Sequence, residues 1–159
     1  MKTYKLFGIV LITLILTLGC SSNDDNPAPS ITQPTDPSEF SQASAIGMEV
    51  KWRVTQDSKL EIQASAPTTG WIGIGFNPTG KMDGANLLVG FQSDTEIMVR
   101  DGYGSGHQWQ LDSIEHVESI SGTQTSDALT LTFIIPLNSK DNQDQTLEQG
   151  TSTMLLMSY

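Results

Sequence analysis

Positive charge is scarce in this chain: 8 Lys and Arg stand against 18 Asp and Glu in 159 residues, a formal charge of −10. That balance argues against a nucleic-acid partner, because binding DNA or RNA needs cationic groups to replace counterions at phosphates. Cysteine occurs once and histidine twice. A single thiol cannot close an internal disulfide, and one Cys with two His cannot build a Cys-rich zinc site. No Ser/His/Asp arrangement, HExxH, P-loop or GxGxxG is present, so catalysis by this chain alone is not expected. Hydrophobic residues nevertheless make up 37% of the chain, enough to bury a core.

Long apolar runs are also lacking, with one exception. Residues 6–18, LFGIVLITLILTL, are uncharged and follow Lys2 and Lys5. A basic start, a short apolar run and a small residue before a cleavage point make a secretory signal. The run falls short of the ~20 apolar residues that a membrane-spanning helix needs. Gly19 and the only cysteine, Cys20, come next. The stretch L-T-L-G-C resembles a bacterial lipobox, with Thr17 where Leu is commoner. This predicts lipidation at Cys20 and a protein of the bacterial cell envelope, attached to the outer membrane through that lipid. The alternative is an ordinary signal peptide with an incidental Cys. The Asp24-Asp25 pair resembles the export signal of surface-exposed lipoproteins in some Gram-negative bacteria.

Residues 21–44 are rich in Ser, Asn, Asp and Pro and hold four of the seven prolines. Such a segment buries too little apolar surface to fold and reads as an extended tether. The expected organisation is therefore a leader over 1–19, a tether over 20–44 and a folded domain over 45–159.

The domain reads as all-β. Residues 48–54 (MEVKWRV) place Met48, Val50, Trp52 and Val54 on one face and charges on the other. Residues 60–64 (LEIQA) alternate again, and in 128–135 Leu129, Leu131, Phe133 and Ile135 point inward. Alternation with period two is the mark of half-buried antiparallel strands. Residues 71–76 (WIGIGF) put Trp71, Gly73 and Gly75 on one face and Ile72, Ile74 and Phe76 on the other. Strand glycines mark close approach of a ligand or another backbone. Further strands are expected over 85–91, 96–100, 114–120 and 152–159, with a Gly-rich loop over 101–107 and a polar loop over 141–150. Many short strands separated by turn residues predict an antiparallel β-sandwich or barrel.

The order of these pieces carries a resemblance. TGWIGIGF over 69–76, KMDGAN over 81–86, LLVGF over 87–91, the Asp101 segment, SGTQ over 121–124, the 129–136 strand and the acidic turn before the last strand together resemble the DOMON family. Its members include the N-terminal domain of dopamine beta-monooxygenase and the cytochrome domain of cellobiose dehydrogenase. The resemblance covers roughly residues 48–159. It implies an immunoglobulin-like sandwich of about ten strands outside the cytoplasm, with a ligand pocket. Family members bind haem b for electron transfer, or are proposed to bind sugars and other small ligands.

The resemblance also implies site residues. Met82 occupies the place of one axial haem ligand in haem-binding relatives, and a thioether is a soft ligand suited to haem iron. The alternative for Met82 is adaptable packing over the sandwich edge. The relatives' second ligand is a His beyond the last strand, where this sequence ends at Tyr159. The expectation is a truncated sequence, a lost ligand or a substitute. His107, in the Gly-rich segment, is the substitute candidate; His116 lies in a strand-like stretch. Trp71, Tyr103 and Trp109 are candidates to stack on a porphyrin or a sugar. Residues 141–145 (DNQDQ) offer hard oxygens for calcium but lack the EF-hand spacing, and acidic turns are commonly just solvated. Three functions follow: a haem-carrying electron-transfer module with a redox partner, a carbohydrate or other small-ligand module, or a structural adhesion domain.

Overall fold

The computed structural model describes residues 3–5, 30–32 and 39–159. Cys20 and most of the expected leader and tether lie outside the described residues. Twelve strands are present: β1 (Thr3–Lys5), β2 (Ser30–Thr32), β3 (Ser41–Ala45), β4 (Met48–Val54), β5 (Lys59–Ala66), β6 (Trp71–Phe76), β7 (Asn86–Ser93), β8 (Glu96–Ser105), β9 (Gln108–Leu111), β10 (Glu118–Gln124), β11 (Leu129–Pro136) and β12 (Ser152–Ser158). Ten of them, β3 to β12, lie within residues 41–158. They form two six-stranded sheets, β1-β12-β6-β7-β8-β9 and β10-β11-β5-β4-β3-β2, with every pairing antiparallel. The described residues contain no helix. The all-β sandwich expected from the sequence is the fold observed.

The alternating strands build the core. β5 alternates strictly between half-buried and buried residues, and β4 and β11 follow it closely. Met48, Val50, Trp52, Leu60, Ile62, Leu131 and Phe133 come from one sheet and meet Ile72, Ile74, Phe76, Leu88 and Val99 from the other. Gly90 makes this contact possible, since a Cβ there would stand 2.2 Å from Leu131 Cδ1. The glycine lets the two sheets close at that point.

Several boundaries differ from expectation. β3 starts at Ser41, inside the segment expected to be tether, and its Ala43 is fully buried. Its neighbours Ser, Gln and Ala are too small or polar to reveal the alternation by hydrophobicity. The Gly-rich 101–107 segment is not a loop: β8 runs through it to Ser105 and pairs with β9. Gly102 and Gly104 lie beneath other groups, as described below, while Gly106 serves the β8–β9 turn at φ +61°. His116 is not in a strand; it sits in the connection between β9 and β10, which starts only at Glu118. The polar 141–150 segment is a loop, as expected.

Candidate functional site

The outer face of the β6 sheet carries the candidate site. Directly paired residues point to the same face of a sheet. Gly73 pairs with Val89 and Ser158, and Gly75 with Leu87 and Leu156. Leu87 in turn pairs with Gly102 of β8. These residues, with Trp71, therefore share the face turned away from the core. All of them but Gly102 line a cavity of about 350 Å³ whose walls are almost wholly apolar, completed by Leu88, Met82 and Trp109. That volume lies at the lower end of small-molecule sites.

The floor is shaped by Gly73 and Gly75. A Cβ at Gly73 would stand 3.0 Å from the Trp71 ring, and one at Gly75 would stand 2.5 Å from Leu87 Cδ2. These glycines do not relieve crowding between the two sheets; Gly90 does that. Trp71 is 45% exposed, so a large aromatic ring borders the groove in contact with solvent. At the other end, Trp109 of β9 lies over Gly102, whose Cβ would meet its indole, and donates Nε1–H to Leu87 O at 3.3 Å.

Met82 is held by a tightly bonded loop. Asp83 N–H donates to Gly80 O at 2.8 Å and Ala85 N–H to Met82 O at 3.1 Å. The loop is fastened to β8 by Gly84 N–H to Gly104 O and Gly104 N–H to Ala85 O, each 2.9 Å. Only glycine fits at 104, because a Cβ would run into the Met82 carbonyl. Asp83 Oδ1 accepts Gly106 N–H at 2.8 Å, and Gln145 Nε2 donates to Gly84 O at 2.6 Å. The loop is a braced platform rather than a free strap.

The structure thus brings Met82, Trp71 and Trp109 to one groove. His107 and Tyr103 are not among the lining residues. His107 is exposed in the β8–β9 turn. Tyr103 has the strand parity of Val99 and Asp101, the opposite face from Gly102 and Gly104. Sequence reasoning missed the wall residues Leu87, Val89 and Leu156. The signal was the unbroken apolar run LLV at 87–89, because a strand apolar on both faces is covered on both.

Comparison with known proteins agrees with this architecture. The chain resembles the cytochrome domain of Myriococcum thermophilum cellobiose dehydrogenase, with a TM-score of 0.53, 12% identity, and coverage of 82% of this chain and 74% of that one. It also resembles the cytochrome b domain of pyranose dehydrogenase from Coprinopsis cinerea, with a TM-score of 0.50, 11% identity, and coverage of 82% and 88%. At such identities the likeness is one of fold. No curated protein matches the chain significantly. The DOMON domain model matches residues 46–159, nearly the whole described sandwich, and the chain belongs to the DOMON domain family.

Proposed function

We propose that the outer-face groove binds a flat, largely apolar ring ligand, with haem b the leading candidate, and that the chain is a binding or electron-transfer module. The observation that carries this is the meeting of Met82 with a glycine floor in one apolar groove. A purely structural or adhesive domain has no use for a recess walled by two tryptophans. The residues present fit one side of a haem. Met82 would offer its sulfur to the iron, Trp71 and Trp109 would border the ring, and Gly73 would let it approach the sheet. No histidine lines the groove among the described residues, so a second axial ligand is not supplied from them. When bound, the haem would supply one-electron exchange; this chain's part is to hold it and exclude water from its faces.

A carbohydrate reading uses the exposed Trp71 as a stacking surface. Sugar recognition also needs several polar groups placed around the ring. Ser158 is the one hydroxyl in the lining, and Trp109 Nε1–H already bonds Leu87 O. The groove therefore suits an apolar ring better than a sugar.

The lipobox-like stretch ending at Cys20 supports placing this module at the bacterial outer membrane on a lipid anchor. The chain's excess of acidic residues would favour a basic redox partner through electrostatic steering.

The test is titration of the haem-free chain with haem. A shifted Soret band at one haem per chain, weakened at least about tenfold in Met82→Ala, is the expected result. Absence of any shift at stoichiometric haem would overturn the haem assignment.

A further inference from the structure

A second cluster of polar groups lies on the other face of β8 from the groove. Asp101, of β8, is 1% exposed. The Asp144 side chain, from the β11–β12 loop, is 4% exposed. His116, from the β9–β10 connection, presents Nδ1 3.3 Å from Asp144 Oδ2 and 3.8 Å from Asp101 Oδ2. One ligand atom from each of the three lies within 4.8 Å of the others. Asp112, 5% exposed, adds a further carboxylate, and its charge acts on both Asp101 and Asp144.

The hydrogen bonding of this cluster is incomplete. Asp101 Oδ2 accepts His116 N–H at 3.0 Å, and Asp112 Oδ1 accepts Ile114 N–H at 3.3 Å. Asp101 Oδ1, Asp112 Oδ2, Asp144 Oδ1 and His116 Nδ1 are buried and find no hydrogen-bond partner among the described residues. Buried polar atoms in native proteins nearly always have partners, and unmatched ones call for a specific explanation. Here four lie together, three of them carboxylate oxygens. Among the described residues the only basic group within ion-pair distance of these carboxylates is His116.

We propose that Asp101, His116 and Asp144 form a divalent-cation site, with Asp112 supplying additional negative charge. An imidazole nitrogen beside carboxylate oxygens favours a first-row ion such as Zn²⁺ or Mn²⁺ over Ca²⁺, which prefers oxygen alone. Metal–ligand bonds of about 2.0–2.2 Å set ligand atoms roughly 3.4 Å apart in a tetrahedral site, so these three need only a small inward shift. The ion ties three segments that are far apart in the chain: β8, the β9–β10 connection and the β11–β12 loop. That loop also braces the Met82 platform, through the bond from Gln145 to Gly84 O. The site is a cross-link at the sandwich end, separate from the groove.

The experiment uses the full, haem-free chain stripped with chelator, to which Zn²⁺, Mn²⁺, Ca²⁺ or Mg²⁺ is added singly. Thermal denaturation and equilibrium dialysis with metal analysis are read together. One Zn²⁺ or Mn²⁺ per chain and a higher Tm are expected, since a ligand of the native state stabilises it by mass action. His116→Gln and Asp144→Asn are each expected to weaken binding by more than about 100-fold, beyond the 10–100-fold seen on losing an outer-sphere partner. His107→Gln, which changes an exposed histidine elsewhere, leaves the stoichiometry at one. The proposal is overturned by no binding, by preference for Ca²⁺, by binding unchanged in His116→Gln, or by binding lost in His107→Gln. Because haem is absent throughout, these outcomes are independent of the groove assignment.

Discussion

Lys81 Nζ stands 2.6 Å from His107 Nε2. A protonated ammonium has only donors, so Nε2 must accept and the imidazole proton must sit on Nδ1. The contact ties the β8–β9 turn to the residue beside Met82. It also occupies the ring nitrogen that iron ligation would otherwise use, on a side chain that does not line the groove.

This geometry makes His107 dispensable for the groove. His107→Ala is expected to leave the haem-bound spectrum and affinity within about twofold of the parent. Its stability cost should stay within about 0.5 kcal/mol, as for most exposed substitutions. Optical spectra of the titrated variant decide the point: collapse of the parent spectrum in His107→Ala would make this histidine an iron ligand after all.

The floor of the groove gives a steric test. A Cβ at Gly73 would already touch the Trp71 ring at 3.0 Å, so Gly73→Val fills the recess with branched carbon. Valine suits a strand, and the position faces outward, so folding should survive. Affinity for a flat ring ligand is expected to drop by more than about tenfold, while Tm changes by only a few degrees. Ligand titration beside a melting curve separates the two effects. Unchanged affinity would place the ligand elsewhere.

Across the core, Gly90 and Leu131 form a pair that should not behave additively. Gly90→Ala drives a methyl into Leu131 Cδ1, and overpacking of this kind costs about 1–3 kcal/mol. Leu131→Ala alone leaves a cavity at a residue 2% exposed, at a cost of about 2–5 kcal/mol. In the double variant the new methyl enters the space vacated by leucine. Urea unfolding of the four proteins should show the double variant more stable than the sum of the single losses predicts, by at least about 0.5 kcal/mol.

These relationships show what the sequence made legible. Strict alternation in 48–54, 60–64 and 129–135 exposed the inner faces directly, because burial on one side imposes a period of two. The same logic set Ile72, Ile74 and Phe76 on the opposite face from Trp71, Gly73 and Gly75, without saying which face met the core. Glycine was ambiguous, however. In 101–107 it suggested a loop, although Gly102 and Gly104 are strand residues covered by Trp109 and the Met82 carbonyl. A missing side chain looks the same in sequence whether it permits a turn or makes room for a neighbour. The Asp101, His116 and Asp144 cluster was hidden for another reason. Its members lie on three separate segments, and only the crossing of the chain between sheets brings them together. The 141–145 turn showed hard oxygens but not the imidazole that meets Asp144.

The buried carboxylates predict the pH response of the metal-free protein. Burial raises the Asp101 pKa from 3.8 to about 6; the His116 N–H opposes this, and the Asp144 and Asp112 charges add to it. Asp144 is raised too, mainly by burial. A folded-state pKa above the unfolded value means that the native state holds the proton more tightly. The stabilising contribution of Asp101 is thus complete below about pH 4 and fades as pH rises through 6. Other carboxylates impose the opposite trend on the whole protein, so the informative quantity is a difference. In chelator, the stability of the parent minus that of Asp101→Asn should fall between pH 4 and 7, by at most about 1.4 kcal/mol per pH unit for one proton. Asparagine retains an oxygen for His116 N–H and cannot ionise, which isolates the titration from the hydrogen bond. Urea unfolding at half-unit intervals measures the slope. A flat difference would mean that Asp101 ionises in the folded protein at its ordinary value, despite its burial.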